Sequence, residues 1–154
     1  MDKSLVLVHA NGKVVVDKKN KKYKTSKNGV YTKNSRQLVA TFYNKKNFTV
    51  MKGTKSIGFY AFQNYKQLKK LTMPSTIKKI EPAAFAGCKN LKSIILQGKK
   101  APLFKEEYIM DSVAATIPKK VTIYVKNKKV KKAVEKNLKI GDLKKLKWRV
   151  KIDN

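Results

Sequence analysis

The chain has 154 residues, with 38 Lys and Arg against 9 Asp and Glu, for a formal net charge of +29. A chain of this length suits one domain and buries roughly 68–70% of its unfolded surface, while 42% hydrophobic content with seven Tyr and six Phe excludes a disordered polycation. No apolar run approaches the ~20 residues that span a bilayer, and the early apolar stretch at 5–8 is too short for a secretory core, so the sequence reads as a mature domain or a piece of something longer.

The first fifty residues read as strands and turns. Val14-Val15-Val16 is a β-branched run, and Asn28-Gly29 is a turn dipeptide ahead of Val30-Tyr31. A hairpin is expected over 30–43, closing across a polar turn at 33–36.

The middle of the chain repeats itself. Ile57, Ala61, Phe62, Tyr65, Leu68, Leu71 and Met73 recur as Ile80, Ala84, Phe85, Cys88, Leu91, Ile94 and Leu96, each 23 residues later. A fixed period of this length belongs to the leucine-rich repeat class, with Leu68-x-x-Leu71-x-Met73 and Leu91-x-x-Ile94-x-Leu96 as the strand segments. One such unit cannot bury its apolar face alone, so successive turns must stack around a shared core. The Ala-Phe pairs supply close approach and a ring to fill the space between turns. Pro74 and Pro82 mark chain reversals. Lys3-Ser4-Leu5-Val6-Leu7 echoes Lys92-Ser93-Ile94-Ile95-Leu96, which suggests that the chain begins inside a preceding turn.

After residue 97 the period breaks. A short helix is expected at 106–115 and a strand at 121–125. A Lys-rich helix follows, with Val130, Ala133, Val134 and Leu138 as its apolar stripe and Gly141 as its stop. Leu146-x-Trp148-x-Val150-x-Ile152 alternates as a final strand. Trp148 reads chiefly as part of a closing unit, with ligand stacking as the other option.

The inventory argues against catalysis. His9 and Cys88 stand far apart, whereas nucleophilic catalysis needs nucleophile, base and orienter together. Metal sites usually need three or four clustered ligands. Only Glu106, Glu107 and Asp111 come near one another, and they read as a locally neutralised loop. No catalytic residue, cofactor or metal is therefore expected. Cys88 shares the repeat position of Tyr65 and reads as a buried packing residue.

The run Ile57-Gly58-x-x-Ala61-Phe62, Leu68-x-x-Leu71-x-Met73-Pro74, Ile77-x-x-Ile80-Glu81-x-x-Ala84-Phe85-x-Gly87-Cys88-x-x-Leu91 resembles the BspA-like leucine-rich repeat family of bacterial surface and secreted proteins. Asn28-Gly29-Val30-Tyr31 upstream and Val121-Thr122-Ile123-Tyr124-Val125 downstream are similar to its inserted hairpin and closing segment. Thr54 and Met51 depart from it, standing where Ile77 and Pro74 set the pattern, so a first turn that is looser or capped differently is expected. The resemblance implies one short, right-handed α/β solenoid over 1–154. Strands and a hairpin would occupy 1–49, repeats 50–98, and a helix-and-strand cap 99–154. It also implies a cell-surface or secreted location and a non-enzymatic role in adhesion or protein–protein contact.

Strand alternation places Lys70, Thr72, Ser93 and Ile95 outward if Leu71, Met73, Ile94 and Leu96 point inward. Thr49 lies 23 residues before Thr72, and Thr122 and Tyr124 extend the column, with Ile95 and Tyr124 expected as exposed apolar residues near Lys70 and Lys92. This face would suit a protein partner. The other reading is a lysine surface that attracts a polyanion: glycosaminoglycan, wall teichoic acid, an anionic lipid surface or nucleic acid. Only Arg36 and Arg149 are arginines, and lysine is a hydrated point charge rather than a bidentate reader of bases, so sequence-specific nucleic-acid binding is not expected.

Overall fold

The computed structural model describes residues 7–10, 13–26, 29–42, 45–104 and 118–153. Strands β1 (Leu7–Ala10) and β2 (Lys13–Val16) pair antiparallel as a sheet of their own. The echo at Lys3-to-Leu7 lies outside the described residues except for Leu7, and that residue opens an antiparallel hairpin rather than a repeat strand. Strands β3 (Tyr23–Ser26), β4 (Gly29–Thr32) and β5 (Gln37–Thr41) form an antiparallel meander. The expected hairpin is its second half. At the tip Asn34 Oδ1 accepts from the Arg36 N–H at 3.0 Å, and Ser35 takes a positive φ of 62°.

From residue 47 onward the 23-residue period becomes two ladders. One is a five-stranded parallel sheet of β6 (Asn47–Thr49), β8 (Lys70–Met73), β10 (Ser93–Leu96), β12 (Thr122–Val125) and β13 (Arg149–Ile152). The other continues from β5 through the two-residue strands β7 (Ser56–Ile57), β9 (Lys79–Ile80) and β11 (Leu103–Phe104), also parallel. Phe48, Leu71, Ile94, Ile123 and Val150 are register partners across the first sheet, and all are buried. Leu38, Ile57, Ile80 and Phe104 face them from the second. The core is what both rows share.

The turn between the two ladders repeats as faithfully as the strands. Tyr60 and Ala83, 23 residues apart, have φ of 54° and 53°; Asn64 and Gly87 have 57° and 75°. The turns bond to each other, Phe62 N–H to Ala84 C=O at 2.9 Å and Asn64 N–H to Ala86 C=O at 2.7 Å. Gly87 is required by this approach, because a Cβ there would stand 3.0 Å from both Cα and N of Asn64, in a left-handed backbone that costs L-residues about 1–2 kcal/mol. Inside, Phe48 meets Phe62 edge-on at 5.3 Å, Phe62 stacks on Phe85 at 5.8 Å, and Trp148 tilts against Phe85 at 6.1 Å. Rings thus bridge successive turns, each worth about 1.5–3 kcal/mol of burial.

Several expectations change. Thr54 is fully buried in the slot that Ile77 fills one turn later, so the first turn is not looser at this position, and the difference is an Oγ1 with no hydrogen-bond partner among the described residues. The helix expected at 106–115 lies outside the described residues. Helix α1 (Lys128–Asn137) starts at Asn127, whose Oδ1 accepts from Val130 N–H at 2.9 Å. Its buried side chains are Val130 and Val134, with Leu138 just beyond; Ala133 is exposed because it falls off that i, i+4, i+8 line. The helix stops at Asn137, and Gly141 begins a 3-10 helix (Gly141–Lys145) instead of capping α1 directly.

Candidate binding face

The outward side of the five-stranded sheet is two columns of side chains. Register places Thr49, Thr72, Ile95, Tyr124 and Lys151 in one, and Asn47, Lys70, Ser93, Thr122 and Arg149 in the other. Neighbouring strands are about 4.8 Å apart, so each column is continuous. All seven residues singled out from the sequence fall on it. Thr49 and Lys70 are exposed, whereas Thr72, Ser93, Ile95, Thr122 and Tyr124 are half-buried. Ile95 and Tyr124 are less open than expected because each is an interior rung, flanked on both sides by another strand. Asn47, Arg149 and Lys151 complete the columns and were not foreseen. Alternation marked β13 as a strand, but its 27-residue offset from β12 hides its register from a 23-residue count.

A third row is purely basic. Lys46, Lys69 and Lys92 are exposed and joined rung to rung, Lys69 N–H to Lys46 C=O at 2.7 Å and Lys92 N–H to Lys69 C=O at 2.9 Å. The ion pairs among the described residues, Lys79–Glu81, Lys126–Asp153 and Lys131–Glu135, lie off this row and off the outward columns.

The remaining chemistry-bearing residues serve packing. Cys88 is fully buried with its thiol on the Phe62 carbonyl at 3.0 Å, and burial pushes its pKa from 9.0 up to about 12, so it is a thiol and not a nucleophilic thiolate. Tyr31 is likewise raised by burial, and its hydroxyl accepts from Met51 N–H at 3.3 Å. Trp148 donates its indole N–H to Pro118 C=O at 2.7 Å, with its ring against Phe85 and Phe104. Glu106, Glu107 and Asp111 lie outside the described residues, as does the His9 side chain. Among the described residues no group of three or more His, Cys, Asp and Glu could hold a metal ion, and no helix is long and apolar enough to cross a membrane.

Residues 39–131, more than half of the chain, match the BspA type leucine rich repeat region (6 copies). The chain belongs to that family. The BspA-type region is wider than the 50–98 core of the repeat seen in the sequence, taking in β6 upstream and β12 with the start of α1 downstream. Among solved structures, the pneumococcal vaccine antigen PcpA is similar at 16% identity and a TM-score of 0.45, over 93% of this chain and 50% of that one. A leucine-rich repeat protein from Eubacterium ventriosum ATCC 27560 is similar at 18% identity and a TM-score of 0.45, over 91% of this chain and 42% of that one. The chain therefore spans about half the length of those two structures or less. No curated protein matches.

Proposed function

We propose that this BspA-type chain is a non-enzymatic adhesion module of a bacterial surface or secreted protein. In this reading 1–154 is one right-handed solenoid, with strands and a hairpin over 1–49 and a helix-and-strand cap over 99–154. It engages a protein partner through Thr49, Lys70, Thr72, Ser93, Ile95, Thr122 and Tyr124. The supporting observation is the unbroken register Thr49–Thr72–Ile95–Tyr124, which aligns hydroxyl, aliphatic and aromatic groups in one strip. Mixed strips of this kind suit protein recognition better than they suit a uniform polyanion, since interface cores are depleted of charge and enriched in aromatics.

The test is binding to a panel of immobilised host extracellular and serum proteins by the parent chain and by Ile95→Asp with Tyr124→Ser, with thermal melts confirming that both fold. Loss of about tenfold or more in affinity, the scale of one interface anchor, is expected. Unchanged affinity in a folded double variant removes this face. The Lys46–Lys69–Lys92 row favours a second reading, polyanion binding, because like charges on adjacent rungs are destabilising and need another reason to persist. Binding that survives the double substitution and is displaced by a heparin-like polymer assigns the function to that row.

A further inference from the structure

The lysine row that borders the outward sheet does not end with Lys92. The chain enters β12 through Lys119 and Lys120 and enters β13 through Lys147, and all three are exposed. Thr122 N–H bonds Lys92 C=O at 2.9 Å and Lys147 N–H bonds Lys119 C=O at 2.8 Å, so the margin is handed from rung to rung. It shifts by one position there, because Val121 turns into the core and Trp148 lies against Phe85. Over five strands the basic margin is about 19 Å long. Among the described residues none of its lysines has an acidic partner. Beside it runs the column Asn47–Lys70–Ser93–Thr122–Arg149, in which two cations stand among an amide and two hydroxyls.

We infer that this margin binds a linear sulfated polysaccharide, laid along the stack with its sulfates on the lysines and its sugar hydroxyls on Asn47, Ser93 and Thr122. The inference deepens the polyanion reading and rests on it: it names the polymer, its direction and the length of chain covered. Like charges on neighbouring rungs repel, and a polymer with anionic groups in series relieves that repulsion along the whole margin. A sulfate ester spreads one charge over three oxygens, which the point charge of lysine meets without a planar fork. Asn47, Ser93 and Thr122 offer both donors and acceptors, as sugar hydroxyls require. Inorganic polyphosphate would leave that neutral column unused. Single-stranded nucleic acid needs aromatic platforms for its bases, and neither the margin nor the column carries an aromatic side chain.

The test is calorimetric titration of the full chain with size-fractionated heparin fragments, desulfated fragments, inorganic polyphosphate and an all-Glu peptide, the last two matched in charge to the fragment. Saturable binding of the sulfated fragments is expected, weakened by salt through counterion release. Affinity should rise with fragment length and level off once the five strands are spanned. The preference over polyphosphate and all-Glu peptide should be about tenfold, and Ser93→Ala with Thr122→Ala should shrink it. Lys46→Gln, Lys69→Gln and Lys92→Gln together should weaken the fragment about tenfold or more and flatten its salt dependence. The row Arg36–Lys55–Lys78 on the other ladder gives a matched control, since it too is joined rung to rung but gives way to Pro102, beside a Lys79 already paired with Glu81. Its triple change to Gln should leave binding intact. No fragment binding, or equal loss in both triple variants, overturns the inference and the polyanion reading together. Equal binding of polyphosphate or all-Glu peptide, or affinity independent of length, overturns the inference and leaves the row a general anion site. The probe comparisons need no variant, so they stand if a variant fails to fold. Host-protein binding retained without fragment binding refutes this inference and leaves the protein-binding face.

Discussion

The turn built on Phe62 and the turn built on Phe85 have one backbone and two surroundings. Their left-handed residues coincide at a spacing of 23, Tyr60 with Ala83 and Asn64 with Gly87. Yet Phe59 and Tyr60 are 54% and 41% exposed, while Pro82 and Ala83 are buried where Leu143, Leu146 and Trp148 close over them. Thr54 and Ile77 fill equivalent slots, with a hydroxyl in the first where the second has an ethyl group. Tyr65 accepts from Lys45 N–H through its hydroxyl at 3.1 Å, while Cys88 at the same position bonds Phe62 C=O. The period dictates the path of the chain, and each side chain answers to whatever lies next along the stack.

That comparison breaks most readily at the rings. Phe62→Ala and Phe85→Ala should each cost about 3–5 kcal/mol, measured by denaturant unfolding. Phe85 borders a cavity of about 30 Å³ beside Phe104 and Trp148, and truncation enlarges that void. A loss below about 1 kcal/mol at either position would show that the turns do not stack through their rings.

Thr54→Val sharpens the comparison in the opposite direction. The substitution keeps the shape and removes an unpartnered buried hydroxyl, so it should stabilise the chain by about 1 kcal/mol. The matched change Ile77→Thr should destabilise, since it creates the same orphan one turn later. If Thr54→Val destabilises, the hydroxyl has a partner and the two slots differ in more than the side chain that fills them.

Near neutral pH the smallest effect is the one at Cys88, which emerges only as pH rises. Its native pKa of about 12 lies above the ordinary 9.0, so the unfolded chain releases this proton first. The stabilisation is complete below about pH 9 and is lost as pH rises toward about 12. Tyr31, raised by burial above 10.0, adds a loss of the same sign. Cys88→Ala should flatten the part of the pH–stability curve that begins near pH 9, and the native thiol should resist labelling at pH 8.

Much of this is legible in the sequence, for a physical reason. Inward and outward residues on a strand follow a period of two, and stacking follows a period of 23, so Leu71, Ile94, Thr72 and Ile95 could be assigned by counting. What counting missed depends on groups distant in sequence. Trp148 lies in the last turn, but its N–H finds Pro118, and its ring finds Phe85. Packing of α1 on β13 brings Lys139 and Lys151 to the lining of one groove. Ala133 satisfies helical spacing on paper, yet Val130, Val134 and Leu138 reach the core and Ala133 does not.

The register itself carries the whole account, because the outward strip proposed to bind a partner exists only if Thr72 lies opposite Ile95. On a Cys88→Ala background, Thr72→Cys with Ile95→Cys places α-carbons about 4.8 Å apart, within disulfide range. Thr72→Cys with Ser93→Cys leaves a diagonal pair about 7–8 Å apart, too far to bridge without backbone movement. Mild oxidation, followed by mass spectrometry of the cross-linked peptides, should close the first pair rapidly and leave the second open. Preferential closure of the Thr72–Ser93 pair would contradict the register and, with it, the face.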